Sequence, residues 1–282
     1  MKLSQINPFI RYAHYFSIDE KRCYGKSVPL DNRFFYISSK KAKIAVAGKV
    51  LSLFEGDVVI IPAGFEYELL PMEQEARYLA VNFDYTQVSQ DKETPISPIF
   101  EDTVEKSMCT ESVEFTDAPE LNAPLVIKGI SSVHSRLVKI EKEYTARLIG
   151  FNNVISGFFC AVIIECVRAN RAVKFGKNEK AVTDILEYIE KNFASPLTGE
   201  SIAEVFGLHP NYLSYLVKCY TGTPVHRYLL RVRVSHAMNM LRQGEFSVGE
   251  VARECGFPDI YHFSKVFKQT VGVPPSKYPY IM

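Results

Sequence analysis

Two groups of side chains in the last third of the chain have the chemistry of base contact. One is Asn211, Ser214 and Tyr215; the other is Tyr261, His262, Ser264 and Lys265. Steps of three and four residues place such side chains on one face of a helix. Amide and basic groups hydrogen-bond base edges in a major groove, and aromatic rings contact thymine methyl groups or pack on sugars. Lys218, Lys268, Arg227 and Arg231 suit phosphate oxygens, which orient a protein on a duplex without selecting sequence. A single lysine is as readily a solvated surface charge, so the set carries more weight than any member. The partner these side chains fit is double-stranded DNA, read through the major groove.

The elements that must position them form a repeat. Phe246 to Pro275, FSVGEVARECGFPDIYHFSKVFKQTVGVPP, has an Ala-x-x-x-Gly step between two short amphipathic segments, and Leu197 to Pro224, LTGESIAEVFGLHPNYLSYLVKCYTGTP, repeats it. Ala203 and Gly207 match Ala252 and Gly256; Leu213, Ser214, Lys218, Gly222 and Pro224 match Phe263, Ser264, Lys268, Gly272 and Pro274. In each copy the small Ala lets a second helix cross closely, and the Gly permits a positive φ in the turn. Thr198 and a Ser247/Glu250 capping box start the first helices; Pro210 and Asp259 start the second ones. Leu208, Leu213 and Leu216 face inward in the first copy, and Phe257, Phe263, Val266 and Phe267 in the second. Two helix-turn-helix units are therefore expected, at 197–224 and 246–275.

Between them, Val225 to Arg242 has two apolar stripes: Val225, Tyr228, Leu229 and Val232, then Leu230, Val234, Ala237, Met238 and Leu241. A helix with two apolar faces needs a partner on each. It is expected to act as a rigid bridge, because two recognition helices enter successive major grooves when about 34 Å apart. Glu179 to Asn192 is a further helix, with Val182, Ile185, Leu186 and Ile189 on one face.

Composition bounds the rest. A chain of 282 residues with 47% apolar and 23% charged residues is that of a soluble globular protein with room for two domains. The net charge of +1 argues against coating nucleic acid by bulk charge. Residues 177–282 hold twelve Lys or Arg against ten Asp or Glu, so basic groups there must be placed rather than abundant. No secretory signal is visible, and the longest purely apolar run, Phe158 to Ile164, is far short of the roughly 18 residues of a membrane span. A cytoplasmic location without membrane contact is the expectation. Cys23, Cys109, Cys160, Cys166, Cys219 and Cys255 form no C-x-x-C pair and read as buried thiols.

From Arg33 the pattern is that of short strands: RFFYIS, KIAVA, VLSLF and DVVII, then an alternating run from Arg77 to Tyr85. Leu79, Val81, Phe83 and Tyr85 share one face of that run, and Tyr78, Ala80, Asn82 and Asp84 the other. Short antiparallel strands at this spacing suggest a small barrel or jelly roll with room for a ligand. Tyr24, Arg33, Phe35, Tyr36, Tyr67, Tyr78 and Asn82 are the candidates to line it, each as readily core or surface, since alternation does not say which face is inside. A catalytic metal needs clustered His and carboxylates, and His14 is the only His before residue 134. No metal, no cofactor and no catalytic residue are expected. Thr86 to Leu125 reads as loop with a short strand or two. Helical spacing returns at Val133, Leu137, Ile140 and Tyr144, and in a wide apolar run from Phe151 to Val167. Arg168 to Lys180, centred on Gly176, reads as a linker.

The module from Glu179 to Tyr278, with its repeat, Arg233 and Ala237 on the bridging helix and the closing Gly272, Pro275 and Tyr278, closely resembles the DNA-binding module of the AraC/XylS (arabinose-regulator) family. AGKVLSLFEGDVVIIPAG, with Gly56, Asp57, Pro62 and Gly64, resembles that family's cupin-like sensor. The resemblance implies an α+β multidomain chain. Residues 1–170 would be a cupin-like barrel with two trailing helices, 171–178 a linker, and 179–282 an all-α double helix-turn-helix. It implies a bacterial transcription regulator that binds a small-molecule effector such as a sugar or related metabolite, forms a homodimer through the trailing helices and contacts RNA polymerase. An N-terminal arm with Arg11, Tyr12, His14 and Tyr15 would close over the ligand. Two other readings of the barrel stay open: a module that only dimerises or binds a partner protein, and a cupin enzyme fused to a DNA-binding tail. Val217, Gly199 and Pro279 depart from the family pattern; the first two are expected to loosen the first unit, and the third removes a phosphate contact.

Overall fold

Runs of β-branched and aromatic residues broken by short turns build two antiparallel sheets in the N-terminal part of the chain. In the computed structural model, which describes residues 1–19, 24–71, 75–89, 96–99, 105–175 and 178–280, one sheet has five strands. Their spatial order is β1 (Phe9–Ile18), β8 (Ala76–Asp84), β3 (Asn32–Ser39), β6 (Val58–Ile61) and β9 (Leu125–Ile127). The second sheet orders β2 (Tyr24–Ser27), β7 (Tyr67–Leu70), β4 (Lys41–Val46) and β5 (Lys49–Phe54). This corrects the closed barrel implied by resemblance: among the described residues no ladder joins the two sheets. Two of the edge strands, β9 and β2, are three and four residues long and offer little backbone to pair further. The chain divides into two units, Met1–Asn170 and Arg171–Met282.

Strand β8 is buried on both faces. Leu79, Val81, Phe83 and the following Tyr85 join a core with α1 (His134–Ala146) and the first part of α2 (Phe151–Phe175), through Leu137, Ile140, Ile155, Phe159, Val162, Ile163 and Cys166. Phe159 meets Phe34 and Phe83 edge-on, with ring centroids 5.3 and 4.7 Å apart. Its opposite face, with Ala76, Tyr78 and Ala80, packs with Phe35, Ile44, Leu53, Val59 and Tyr67 between the two sheets. By length and composition Phe151–Ala172 is apolar enough to cross a bilayer, which short apolar runs in the sequence do not suggest. Its side chains Ile155, Phe159, Val162, Ile163 and Cys166 are buried in the N-terminal core, the ordinary use of such a stripe.

The expected N-terminal arm is instead β1, paired to β8 along its length. Arg11 is buried and ion-paired to Asp84, with Asp31 4.0 Å away, and it donates to the Ser89 carbonyl at 3.1 Å. A cation so enclosed ties the strand down, because moving it would leave buried carboxylates uncompensated. Residues 171–175 of the expected linker continue α2, since RAVKF follows the apolar run without a helix breaker; Gly176 and residue 177 lie outside the described residues. The second unit continues with α3 (Asn178–Asn192), α4 (Gly199–Val205), α5 (Pro210–Thr221), α6 (Val225–Gln243), α7 (Val248–Glu254) and α8 (Ile260–Val271).

Two buried carboxylates make the stability of the N-terminal unit fall as pH rises. Burial pushes Asp31 up to about 6 against the pull of Arg33 and Arg11. Glu111 is likewise pushed up to about 6, although it accepts from the Tyr85 N–H at 2.5 Å and from Asn32 at 2.9 Å. The folded state then holds protons that the unfolded chain releases near pH 4, so their stabilisation is complete below about 4 and is lost as pH rises through about 6. Denaturant titrations of Glu111→Gln should give a shallower fall in stability between about pH 4 and 6 than the parent. A slope unchanged from the parent would contradict the assignment.

Candidate nucleic-acid interface and cavity

The local signals of the repeat act where the sequence places them. Thr198 caps α4 by accepting from the Ser201 N–H at 3.1 Å, and Ser247 and Glu250 form a reciprocal box at α7. Pro210 opens α5, where His209 Nδ1 accepts from the Asn211 N–H at 3.3 Å, and Asp259 caps α8 by accepting from the His262 N–H at 2.6 Å. Each unit has its own core. Ile185, Ile189, Ile202, Ala203, Leu213 and Val217 pack with Val225, Leu229 and Val232 of α6, whereas Val251, Ala252, Phe257, Phe263 and Phe267 pack with Val234, Ala237 and Leu241. The two stripes of α6 thus serve two cores. Val217 is fully buried, and Gly199 sits at the start of α4 with Val225 beside it, so neither departure from the family pattern opens a gap in the first unit.

The two units are joined at a polar seam. Arg233 of α6, 6% exposed, donates from Nε to the Phe193 carbonyl and from Nη2 to the Ser195 carbonyl, both at 2.8 Å. It also lies over the Phe257 ring at 5.9 Å. His236 stacks on Phe193 with centroids 3.9 Å apart. Gly256, in the second turn at φ +73°, presses on the same segment: a Cβ there would lie 2.6 Å from the Ala194 carbonyl oxygen. The chain just after α3 is therefore gripped by α6 and by the turn between α7 and α8.

Outward from these cores stand the candidate contact residues. On α5, Asn211, Tyr215 and Lys218 are exposed and Ser214 is half-buried; on α8, Tyr261, Lys265 and Lys268 are exposed and Ser264 is half-buried. Tyr261 is 78% and Tyr215 54% exposed, unusual for rings on short helices with filled cores. His262 is turned partly inward, its ring 5.9 Å from that of Phe257 and its Nδ1 buried without a hydrogen-bond partner, which leaves Nε2 as its outer edge. Arg227 and Arg231 are exposed on α6, with Arg231 over the Tyr228 ring at 5.1 Å. Tyr212, Tyr220 and Ile260 are also exposed on α5 and α8 and were not singled out by sequence.

In the N-terminal unit a cavity of about 340 Å³ opens between the sheets. Arg33, Phe35, Tyr67, Tyr78 and Asn82 line it, as does Tyr12 of β1. Tyr36 does not, which corrects its candidacy: it alternates with Phe35 on β3 and lies in the core toward the helices, its ring 5.6 Å from that of His134. The side chain of Tyr24 lies outside the described residues. Phe16, Ser27, Leu69 and the segment Ile96–Pro98 complete the lining and were missed, because strand pairing rather than local pattern brings them together. Among the described residues no three His, Cys, Asp or Glu side chains converge on a metal-sized site. Cys109, Cys160, Cys166, Cys219 and Cys255 are in no disulfide; Cys166 and Cys255 are buried and the other three partly so, and Cys23 lies outside the described residues.

Residues 202–279 match the family model described as a helix-turn-helix domain. Among curated proteins, the HTH-type transcriptional regulator YijO of Escherichia coli is 38% identical over 94 residues, 33% of this chain and 33% of its own. The HTH-type transcriptional activator RhaS of Salmonella schwarzengrund is 35% identical over 98 residues, 35% of each chain. The matched stretch thus spans about a third of the length of these relatives. A solved structure, the C-terminal domain of the response regulator AraT from Geobacillus stearothermophilus, is 32% identical and covers 36% of this chain and 84% of that one, with a TM-score of 0.35. The C-terminal unit is a helix-turn-helix domain of the type found in bacterial transcription regulators.

Gly256 and Gly207 provide a matched test of the seam. Both have positive φ, but a Cβ at Gly207 meets nothing within 4 Å. Gly207→Ala should cost about 1–2 kcal/mol for the left-handed backbone, and Gly256→Ala clearly more, because its methyl also overlaps the Ala194 carbonyl. Urea titration of both variants compares them; equal losses would contradict a close contact at the seam.

Proposed function

We propose that the chain is a cytoplasmic, sequence-specific DNA-binding transcription regulator of the AraC type, controlled by a small molecule taken up in its N-terminal unit. The observation that carries the first part is the pair of capped helix-turn-helix units with separate cores, clamped to one another at Arg233 and Gly256 and exposing α5 and α8. Two reading helices held at one spacing match two successive major grooves better than either helix alone. Asn211 and Lys265 offer amide and ammonium donors to base edges, Tyr215 and Tyr261 offer rings to thymine methyls and sugars, and Ser214, Ser264 and the outer edge of His262 add polar contacts. Lys218, Lys268, Arg227 and Arg231 bind phosphates and set the register.

The aromatic cavity between the sheets supports the second part. An effector acts here through its differential affinity for DNA-competent and DNA-incompetent states. A homodimer through the outer side of α2, where Val154 is 42% exposed, and a contact with RNA polymerase complete the proposal.

Enrichment of bound sequences from a random duplex pool should return a site with two conserved blocks about one helical turn apart; a pool without enrichment overturns the proposal. Against the enriched site, Lys265→Ala should lose about 1–3 kcal/mol and relax selectivity at one base position, whereas Lys268→Ala should weaken all sequences alike and lower the salt slope by about 1. Anisotropy titrations at several salt concentrations separate the two behaviours.

A further inference from the structure

The cavity of the N-terminal unit joins a wall of rings to polar groups that the chain itself leaves unmet. Tyr12 stacks near Phe16 and Phe16 near Tyr78, each pair at 5.8 Å; Phe35 then meets Tyr78 at 5.7 Å and Tyr67 at 5.4 Å. Leu69 and Ala80 fill the spaces between them. Rings in such a chain present flat, apolar faces and accept a flat or branched hydrocarbon body.

One end of this wall is polar. Asn82 and Arg33 are cross-strand neighbours on β8 and β3, with Tyr12 opposite Asn82 on β1. Asn82 is 5% exposed and lines the cavity, and its amide has no hydrogen-bond partner among the described residues. Arg33, 6% exposed, commits Nη2 to Asp31 at 2.9 Å and to the Ile96 carbonyl at 2.7 Å, while its Nε is buried without a hydrogen-bond partner. Buried polar groups are otherwise almost always paired, so the Asn82 amide, with the Arg33 guanidinium beside it on the cavity wall, points to a partner that enters from outside.

We infer that the cavity binds a small monocarboxylate with an aromatic or branched apolar body, its carboxylate against Arg33 and Asn82 and its body among the rings. This deepens, and rests on, the proposed effector-binding role of the N-terminal unit. A guanidinium offers donors and no acceptor, and with Nη2 committed a carboxylate takes one bond from the remaining donors of Arg33 and another from the Asn82 amide. The pairs Arg33–Asp31 and Arg11–Asp84 hold the surroundings near neutrality, so donor geometry rather than excess positive charge selects the anion. A sugar of the same size distributes hydroxyls around its whole rim. Phe16, Phe35, Leu69 and Ala80 would leave those on one side without partners, which is costly in a buried site. The volume of about 340 Å³ is near the lower end of ligand pockets, suited to one ring or a short branched chain.

The test uses the full chain with three probes: phenylacetate, 2-phenylethanol, which has a similar aromatic body without the carboxylate, and L-arabinose. Phenylacetate should raise the Tm and transfer saturation to its ring protons in ligand-observed NMR. 2-Phenylethanol should bind at least about tenfold more weakly in calorimetry, and L-arabinose should give no response. Asn82→Asp, which sets an anion beside the bound carboxylate, should lower phenylacetate affinity by at least about tenfold. NMR on the parent protein keeps the test valid if that variant does not fold. Binding of L-arabinose without phenylacetate, or equal binding of phenylacetate and 2-phenylethanol, overturns the carboxylate assignment and leaves effector binding standing. Silence of the parent protein toward all three probes overturns both. A folded Asn82→Asp protein with unchanged phenylacetate affinity overturns the placement of the head group.

Discussion

The carbonyl groups that follow α3 are the point on which the C-terminal unit turns. A helix end leaves backbone acceptors without partners, and something must satisfy them or leave them to water. Here Arg233 takes the carbonyls of Phe193 and Ser195, and in doing so fastens the long helix α6 to the end of α3. The same short segment receives the backbone of Gly256, which can approach because it has no side chain. Two small cores on opposite stripes of one helix would otherwise be related by that helix alone. The seam converts them into a body with one spacing, and a reader of two grooves depends on that spacing.

In the N-terminal unit an analogous task falls to buried charge. Arg11, Arg33, Asp31 and Asp84 hold β1, β3, β8 and the loop after β8 around one neutral cluster. Such a cluster contributes little net stability compared with apolar packing, but removing one member is costly, so it specifies register. It also leaves donors at the edge of a cavity otherwise lined by rings. Structural and ligand-binding roles therefore meet in the same arginine, Arg33.

Much of the C-terminal unit was legible in the sequence because its signals are local. Thr198, Ser247 and Asp259 begin helices through bonds to a residue three positions on, Pro210 through its fixed φ, and Gly222 and Gly272 end α5 and α8 in left-handed caps. Helical periodicity likewise separates Leu213 and Phe263 from Tyr215 and Lys265. The inward tilt of His262 was not legible, since it follows from contact with Phe257 across the turn. In the strands, alternation divides residues into two faces but cannot rank them when both are covered. Tyr36 and Phe35 were equal candidates until the helices took one face of β3 and the second sheet took the other.

By itself, the sequence determined the element types, the caps and turns, the internal repeat and the two stripes of α6, all consequences of interactions between near neighbours in the chain. Only the tertiary structure decided that no ladder joins the two sheets among the described residues, that Arg11 is locked inside rather than carried on a closing arm, and that Phe16, Tyr78, Phe35 and Tyr67 form one wall. It alone brought Arg233 to carbonyls 38 and 40 residues away. The physical reason is the same in each case. Dihedral preference and hydrogen bonding to adjacent residues are written in short windows, whereas which face is covered, and which buried polar group finds a partner, depends on chain segments that only folding brings together.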